Sequence, residues 1–227
     1  TKFVQDYPDD ARAAAASFML GRLLFGAQQW DAAANAYANY VRLGGPLADY
    51  AQNRVGNAYF AAKKYDQAAQ AYEAAATRSD ATQPVLRAAW NGLGDTRLAQ
   101  GNIEGARAAY EAAFQAADDD EDRGAAVYAL AQLYAKTDDV AAEKAQLGRL
   151  WNDFGKTQAA YAAAQADPHS EDGALLYGID SENLSFAYRI YAAAYGRTPD
   201  EAGLLFWTDV LDDRGEGPPT TEDREFI

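Results

Sequence analysis

Small and aromatic residues recur at fixed intervals along much of this chain. The clearest copy lies between Trp90 and Phe114, at Trp90, Leu93, Gly94, Ala106, Tyr110 and Ala113. Two upstream copies keep the same spacing, at Val55, Gly56, Tyr59, Ala68, Tyr72 and Ala75 and at Leu20, Gly21, Leu24, Ala33, Tyr37 and Tyr40. Spacing of three and four residues on both sides of a polar turn is typical of two helices that pack together. The pattern predicts a series of stacked helical hairpins.

Turn signals divide this region into repeats. We expect full repeats over about residues 11–46, 47–83 and 84–120, because glycine and proline interrupt the helical pattern between them. Asp9 or Asp10 is expected to cap the first helix. A fourth copy over about 121–156 diverges, since Glu143 stands where a small alanine is expected, and its second helix should pack less closely. An alanine-rich helix over 157–166 would then close the end of the stack.

The sequence changes character after residue 166. Residues 167–181 are polar and contain Pro168, which is typical of a linker. Residues 182–227 predict a small helical module in which Gly196 ends one helix and Thr198 caps the next. The opening TKFVQDYPDD is typical of the end of a helix, so we expect an amino-terminal segment, such as an export signal, before it.

The repeated positions resemble those of the tetratricopeptide repeat. The resemblance implies an all-α fold, a superhelix of helical hairpins (an α-solenoid), and a concave groove that binds a protein or peptide partner. Fixed places on the first helix of each hairpin would line the groove. These places hold Phe18, Arg22, Phe25, Asn53, Asn57, Phe60, Asn91, Asp95, Leu98, Tyr128 and Gln132.

Asparagine occupies three of these places, Asn53, Asn57 and Asn91. Its amide can donate to and accept from a peptide backbone, which gives affinity without a choice of sequence. The three phenylalanines would suit an aromatic or aliphatic anchor. An ordinary wetted groove without a dedicated ligand remains the alternative.

Composition narrows the classes of partner. Alanine makes up roughly a quarter of the chain, and because it is the best helix former it strengthens the all-helical prediction. Asp and Glu number 34 against 20 Lys and Arg, a formal charge of -14. Such a field repels phosphates and anionic lipids, so we expect neither nucleic acid nor a membrane surface as a partner. The acidic surface would serve solubility, tolerance of high salt or attraction to a basic partner.

No constellation for catalysis or metal binding is visible in the sequence. There is no cysteine, and the single histidine, His169, lies in the predicted linker. Asp118, Asp120 and Asp122 alternate as in a calcium loop, but Arg123 and Ala129 occupy the places of its glycine and its last glutamate. We therefore expect a solvated turn there, no cofactor and no enzymatic activity. No stretch approaches the roughly 18 apolar residues that a membrane helix needs.

Two further resemblances bear on location. The run Gly196, Arg197, Pro199, Asp200, Gly203, Leu204 and Trp207 resembles a short module of unknown function that is common in secreted and surface proteins. This resemblance implies a further helix that would continue past Ile227. The repeats are also similar to the superhelical region of soluble lytic transglycosylases, and ALLYGIDSENL resembles the entry to their catalytic domain. However, the helix that would carry the catalytic glutamate reads SFAYRIYAAAYGR and has no carboxylate.

These resemblances imply a scaffold of the periplasm, the cell surface or the exterior. Two alternatives remain open: a peptidoglycan-binding relative of the transglycosylases, and a structural subunit of a surface layer or filament that self-assembles through the terminal module.

Overall fold

The structure, a computed structural model, describes residues 10–166. This range contains nine α-helices and no strand, which confirms the predicted all-α class. The predicted linker over 167–181, the module over 182–227 and the start of the chain up to Asp9 lie outside the described residues.

The chain divides into two compact units, residues 1–118 and 119–227. The described helices of the first unit form three hairpins: α1 (Ala11–Gly26) and α2 (Trp30–Arg42), α3 (Ala48–Ala61) and α4 (Tyr65–Ala76), α5 (Gln83–Ala99) and α6 (Ile103–Gln115). Each helix in this unit packs against the next one along the chain, and α3 also contacts α5. Those of the second unit are α7 (Asp120–Lys136), α8 (Val140–Phe154) and α9 (Gln158–Ala166).

The four hairpins within residues 10–166 close with the same turn. The residue seven places after the small residue of the first helix has a positive φ, at Gln28 (59°), Lys63 (58°), Gly101 (76°) and Asp138 (56°). The amide that follows it donates back to the first helix, as from Gln29 to the Leu24 carbonyl and from Lys64 to the Tyr59 carbonyl, both at 2.9 Å. This is a Schellman-type helix end. Because only Gly101 is a glycine, the turn depends on its position in the repeat more than on residue type.

Glycine and tyrosine make the central contact of each hairpin in the first unit. A β-carbon added at Gly21 would lie 2.7 Å from the ring of Tyr37, and one added at Gly56 would lie 2.6 Å from the ring of Tyr72. Gly94 faces the ring of Tyr110 in the same way. On the second helices, Ala33, Ala68 and Ala106 are fully buried and allow the close approach. The small residue of the first helix therefore makes room for a tyrosine ring of the second.

The tyrosine ring also reaches the neighbouring hairpin. A β-carbon added at Gly92, on α5, would lie 2.5 Å from the ring of Tyr72 on α4. The ring thus lies between Gly56 of its own hairpin and Gly92 of the next one. An aromatic side chain of one repeat therefore fills the space before the next repeat.

The second unit has the same hairpin turn but a different core. Ala131 occupies the register position of Gly94, Leu147 that of Tyr110, and the half-buried Glu143 that of Ala106. Helix α9 is held against α7: Glu121 accepts a hydrogen bond from the Gln158 amide at 2.9 Å, and Thr157 packs on Gly124. The acidic run begins α7, where the Asp119 side chain caps the helix by accepting from the Asp122 amide.

Candidate partner-binding face

The predicted groove residues of the first unit lie on α1, α3 and α5. We call this surface the first-helix face; its residues are Phe18, Arg22, Phe25, Asn53, Asn57, Phe60, Asn91, Asp95 and Leu98. Ring contacts join α1 to α3, and α3 contacts α5 directly. Tyr128 and Gln132 lie on α7 in the second unit, where Tyr128 is half-buried and Gln132 is exposed.

Tyrosine hydroxyls from the core hold two residues of this face. Tyr72 donates a hydrogen bond to Asn57 Oδ1 at 2.7 Å, and Tyr110 donates one to Asp95 Oδ1 at 2.7 Å. Asn57 and Asp95 each follow the glycine on which the tyrosine ring rests. Because the glycine fixes the ring, the hydroxyl meets the next side chain of the first helix. The core contact thereby orients a polar group on the face.

Both hydroxyls are held in the protonated, donating form. Burial raises the pKa of Tyr72 well above its ordinary value, the Asp95 carboxylate raises it further, and the Arg54 charge opposes them. Burial also raises the pKa of Tyr110, and the hydrogen bond to Asp95 and its charge add to the shift. The donors therefore keep their protons throughout the physiological range.

Two asparagine oxygens on the face have no hydrogen-bond partner among the described residues. They are Oδ1 of Asn53 and Oδ1 of Asn91, and both atoms are buried. Asn53 precedes Asn57 by one helical turn, and Asn91 precedes Asp95 by one turn. Only 5% of Asn53 is exposed, so its amide must rotate before a ligand can reach it. A buried acceptor without a donor costs about 1–3 kcal/mol, which favours any ligand that supplies an N–H group.

The first hairpin departs from this scheme. Tyr37 lies on Gly21 as Tyr72 lies on Gly56, yet its buried hydroxyl has no partner in the described part of the chain. The residue after Gly21 is Arg22, which has only N–H donors and cannot accept the hydroxyl proton. The tyrosine hydroxyl is thus followed by an acceptor on the first helix in the second and third hairpins, and by a donor in the first hairpin.

The phenylalanines of the face are partly engaged with neighbours. The Phe18 ring lies 5.6 Å from the ring of Tyr37 and 6.1 Å from that of Tyr50. The Phe25 ring lies 4.9 Å from Trp30. The Phe60 ring lies 5.7 Å from Tyr65. All three side chains are half-buried, so they offer apolar surface to a ligand without standing free.

The sequence reasoning missed Arg54, Tyr50 and Gly92. The Arg54 guanidinium carbon lies 4.8 Å from the ring centre of Phe25 and 5.9 Å from that of Tyr50. A signal for Arg54 was present: no carboxylate stands three or four residues from it on its helix, whereas Arg107 has Glu104 and Glu111 at those distances. The role of Gly92 had no local signal, because its contact comes from the preceding hairpin.

Within 10–166, no group of three or more acidic or histidine side chains could hold a metal ion. None of the helices described is long and apolar enough to cross a membrane. The first-helix face, with its two unpartnered asparagine oxygens, is the candidate site.

Comparison with known families agrees with this architecture. A family model described as "Tetratricopeptide repeat" matches residues 18–84, which run from α1 to the start of α5. A search of curated proteins finds no match to this chain. The matched segment and the consecutive packing of helical hairpins together show that residues 18–84 are similar to tetratricopeptide repeats.

Proposed function

We propose that this protein is a non-catalytic scaffold whose first-helix face binds an extended segment of a partner protein. Tetratricopeptide repeats generally mediate protein–protein interaction, and the chain has such repeats over residues 18–84. The observation that carries the proposal is the pair of unpartnered acceptors, Asn53 Oδ1 and Asn91 Oδ1, at equivalent places on two adjacent helices.

The spacing of the hairpins fits an extended peptide. Packed helices lie about 8–10 Å apart, and an extended chain advances about 3.3 Å per residue. A segment that crosses the face therefore passes one first helix about every three residues. Asn53 and Asn91 would each meet a backbone amide, and Asn57, fixed by Tyr72, would offer its NH₂ group to a backbone carbonyl.

We extend this proposal to the place where the scaffold works. The carboxy-terminal resemblance to secreted and surface modules favours the cell envelope or the exterior. Binding of peptidoglycan, or self-assembly through residues 182–227, are the competing roles. No observation on the described residues favours either over a protein segment.

A random peptide display library, screened on the full 227-residue chain, tests the binding role. We expect the wild type to enrich peptides and the Asn57→Ala, Asn91→Ala double variant to bind them roughly tenfold more weakly, since each lost amide removes backbone hydrogen bonds. Asn35→Ala is the matched control, because Asn35 is exposed on α2, outside the face. Circular dichroism melting would check that all variants fold.

Equal affinity of the folded double variant and the wild type would argue against the face as the binding site. Enrichment of no peptide above an unrelated control protein would argue against the binding role itself.

A further inference from the structure

Two arginines on the first helices of the hairpins have no acidic partner among residues 10–166. They are Arg22, exposed on α1, and Arg54, half-buried on α3. Six arginines elsewhere in this range pair with carboxylates, in Arg12–Asp10, Arg78–Asp80, Arg97–Glu73, Arg107–Glu104, Arg123–Asp120 and Arg149–Asp153, and Arg42 bonds to Asn39. Acidic residues outnumber basic ones 34 to 20. In such a chain, two arginines left unpaired on one face point to a partner outside it.

The Arg54 guanidinium is held in place by aromatic rings. Its central carbon lies 4.8 Å from the ring centre of Phe25 and 5.9 Å from that of Tyr50. A cation over a ring uses the flat face of the guanidinium and leaves its N–H edges available. The guanidinium group of Arg54 is thus positioned before any ligand arrives, which lowers the entropy lost on binding.

Arg22 belongs to the same part of the face. It lies three residues before Phe25 and four after Phe18, so the three side chains share one side of α1. Phe18 in turn lies 6.1 Å from Tyr50, next to Arg54. We call this set the arginine section; its residues are Phe18, Arg22, Phe25, Tyr50 and Arg54.

Three unpartnered polar groups in or beside this section can donate a hydrogen bond. The Arg22 and Arg54 guanidiniums can only donate, and the buried hydroxyl of Tyr37 has no acceptor in the described part of the chain. At the equivalent position of the third hairpin, Asp95 accepts from Tyr110. The arginine section therefore calls for a negatively charged acceptor, whereas the asparagines need only a peptide backbone.

We infer that the arginine section binds the carboxylate of an aspartate or glutamate side chain in the partner segment, with an apolar neighbour of that residue packed on Phe18. The inference rests on the proposed function, because it names the chemistry of one position in the bound segment. A carboxylate matches the planar guanidinium fork with two hydrogen bonds. The rings around it reduce the contact with water and strengthen the attraction. The acidic surface of the rest of the chain would repel the acidic residue of the partner segment. This repulsion favours the one register that places that residue at the arginine section.

The peptide display screen can test directly whether the arginine section selects an acidic residue. For the full-length wild type, we expect the recovered peptides to share one acidic position next to an aromatic or aliphatic residue. Screening the Arg22→Gln, Arg54→Gln double variant should still recover peptides, but without the acidic position. Arg42→Gln is the matched control, since Arg42 is exposed on α2 and bonds to Asn39.

A recovered peptide is then made with an amidated carboxyl end, which removes its terminal carboxylate and leaves the acidic side chain as the group under test. Replacing its acidic residue by the corresponding amide should weaken binding to the wild type roughly tenfold and should leave binding to the double variant unchanged. Higher salt should narrow the difference between the two peptides.

Each other outcome counts against the inference. Peptides without an acidic preference, or with one that survives in the double variant, would overturn it and leave the proposed function intact. Recovery of no peptide would overturn both. Self-association that the arginine variants abolish, without peptide selection, would make a second copy of this acidic chain the occupant and overturn the inference.

Discussion

The hairpins of the first unit and the hairpin of the second unit share a turn but differ in the contact at their centre. Gln28, Lys63, Gly101 and Asp138 take the same left-handed conformation at the same register position. In the first unit a glycine then supports a tyrosine ring, whereas the second unit has Ala131 and Leu147 at those positions. Tyrosine carries a hydroxyl that reaches Asn57 or Asp95; leucine offers none to Gln132, the corresponding residue of α7.

This difference separates two roles of the repeat. The turn and the register produce the hairpin in either unit, so they determine the fold. The tyrosine adds a link between the core and the polar groups of the first helices. We therefore expect the first unit to present a better ordered face, and the following changes test this contrast.

The largest effect is expected from adding a β-carbon to the two kinds of glycine. Gly94→Ala should lower the free energy of unfolding by about 1–3 kcal/mol, because the new methyl group meets the buried ring of Tyr110. Gly148→Ala, in α8, should raise it by about 0.5–1 kcal/mol, because a β-carbon there meets no atom within 4 Å and alanine favours the helix. Urea denaturation of both variants measures whether the free energy of unfolding falls or rises in each. A stable Gly94→Ala protein would show that the ring can move aside.

An intermediate effect is expected from transplanting the glycine–tyrosine contact into the second unit. Leu147→Tyr should destabilise the hairpin, because Ala131 occupies the place where a ring would need a glycine. Adding Ala131→Gly should recover about 1–2 kcal/mol of this loss. A double-mutant cycle from urea melts gives the coupling free energy. Strictly additive effects would mean that Leu147 and Ala131 do not face each other as their register implies.

The smallest effect is expected from removing tyrosine hydroxyls within the first unit. Tyr110→Phe should cost about 1 kcal/mol, because Asp95 loses its hydrogen bond. Tyr37→Phe should be neutral or stabilise by about 0.5–1 kcal/mol, since its buried hydroxyl has no partner in the described range. Thermal melting followed by circular dichroism compares the two, with the ring packing unchanged in both. A loss of stability in Tyr37→Phe would reveal an acceptor for that hydroxyl.

Much of the fold could be predicted because its causes are local and periodic. The spacing of Gly94, Ala106 and Tyr110 on two faces of a hairpin is readable from the chain itself. The left-handed conformation of Gln28 and Lys63 could not be predicted, since neither residue type indicates it.

The candidate site was predictable only in outline. The asparagines were found from their repeat positions, but the hydrogen bond from Tyr72 to Asn57 and the burial of Asn53 depend on how two helices meet. Arg54 was missed because its partner ring, Phe25, belongs to another hairpin.

The sequence by itself determined the all-helical hairpins of residues 10–166, since helix propensity and periodic small residues act within each repeat. The tertiary structure alone decided which polar groups of the first-helix face are satisfied. A hydrogen bond needs its donor and acceptor within about 3 Å, and for Tyr72 and Asn57 that distance is set by a ring resting on a glycine of the facing helix.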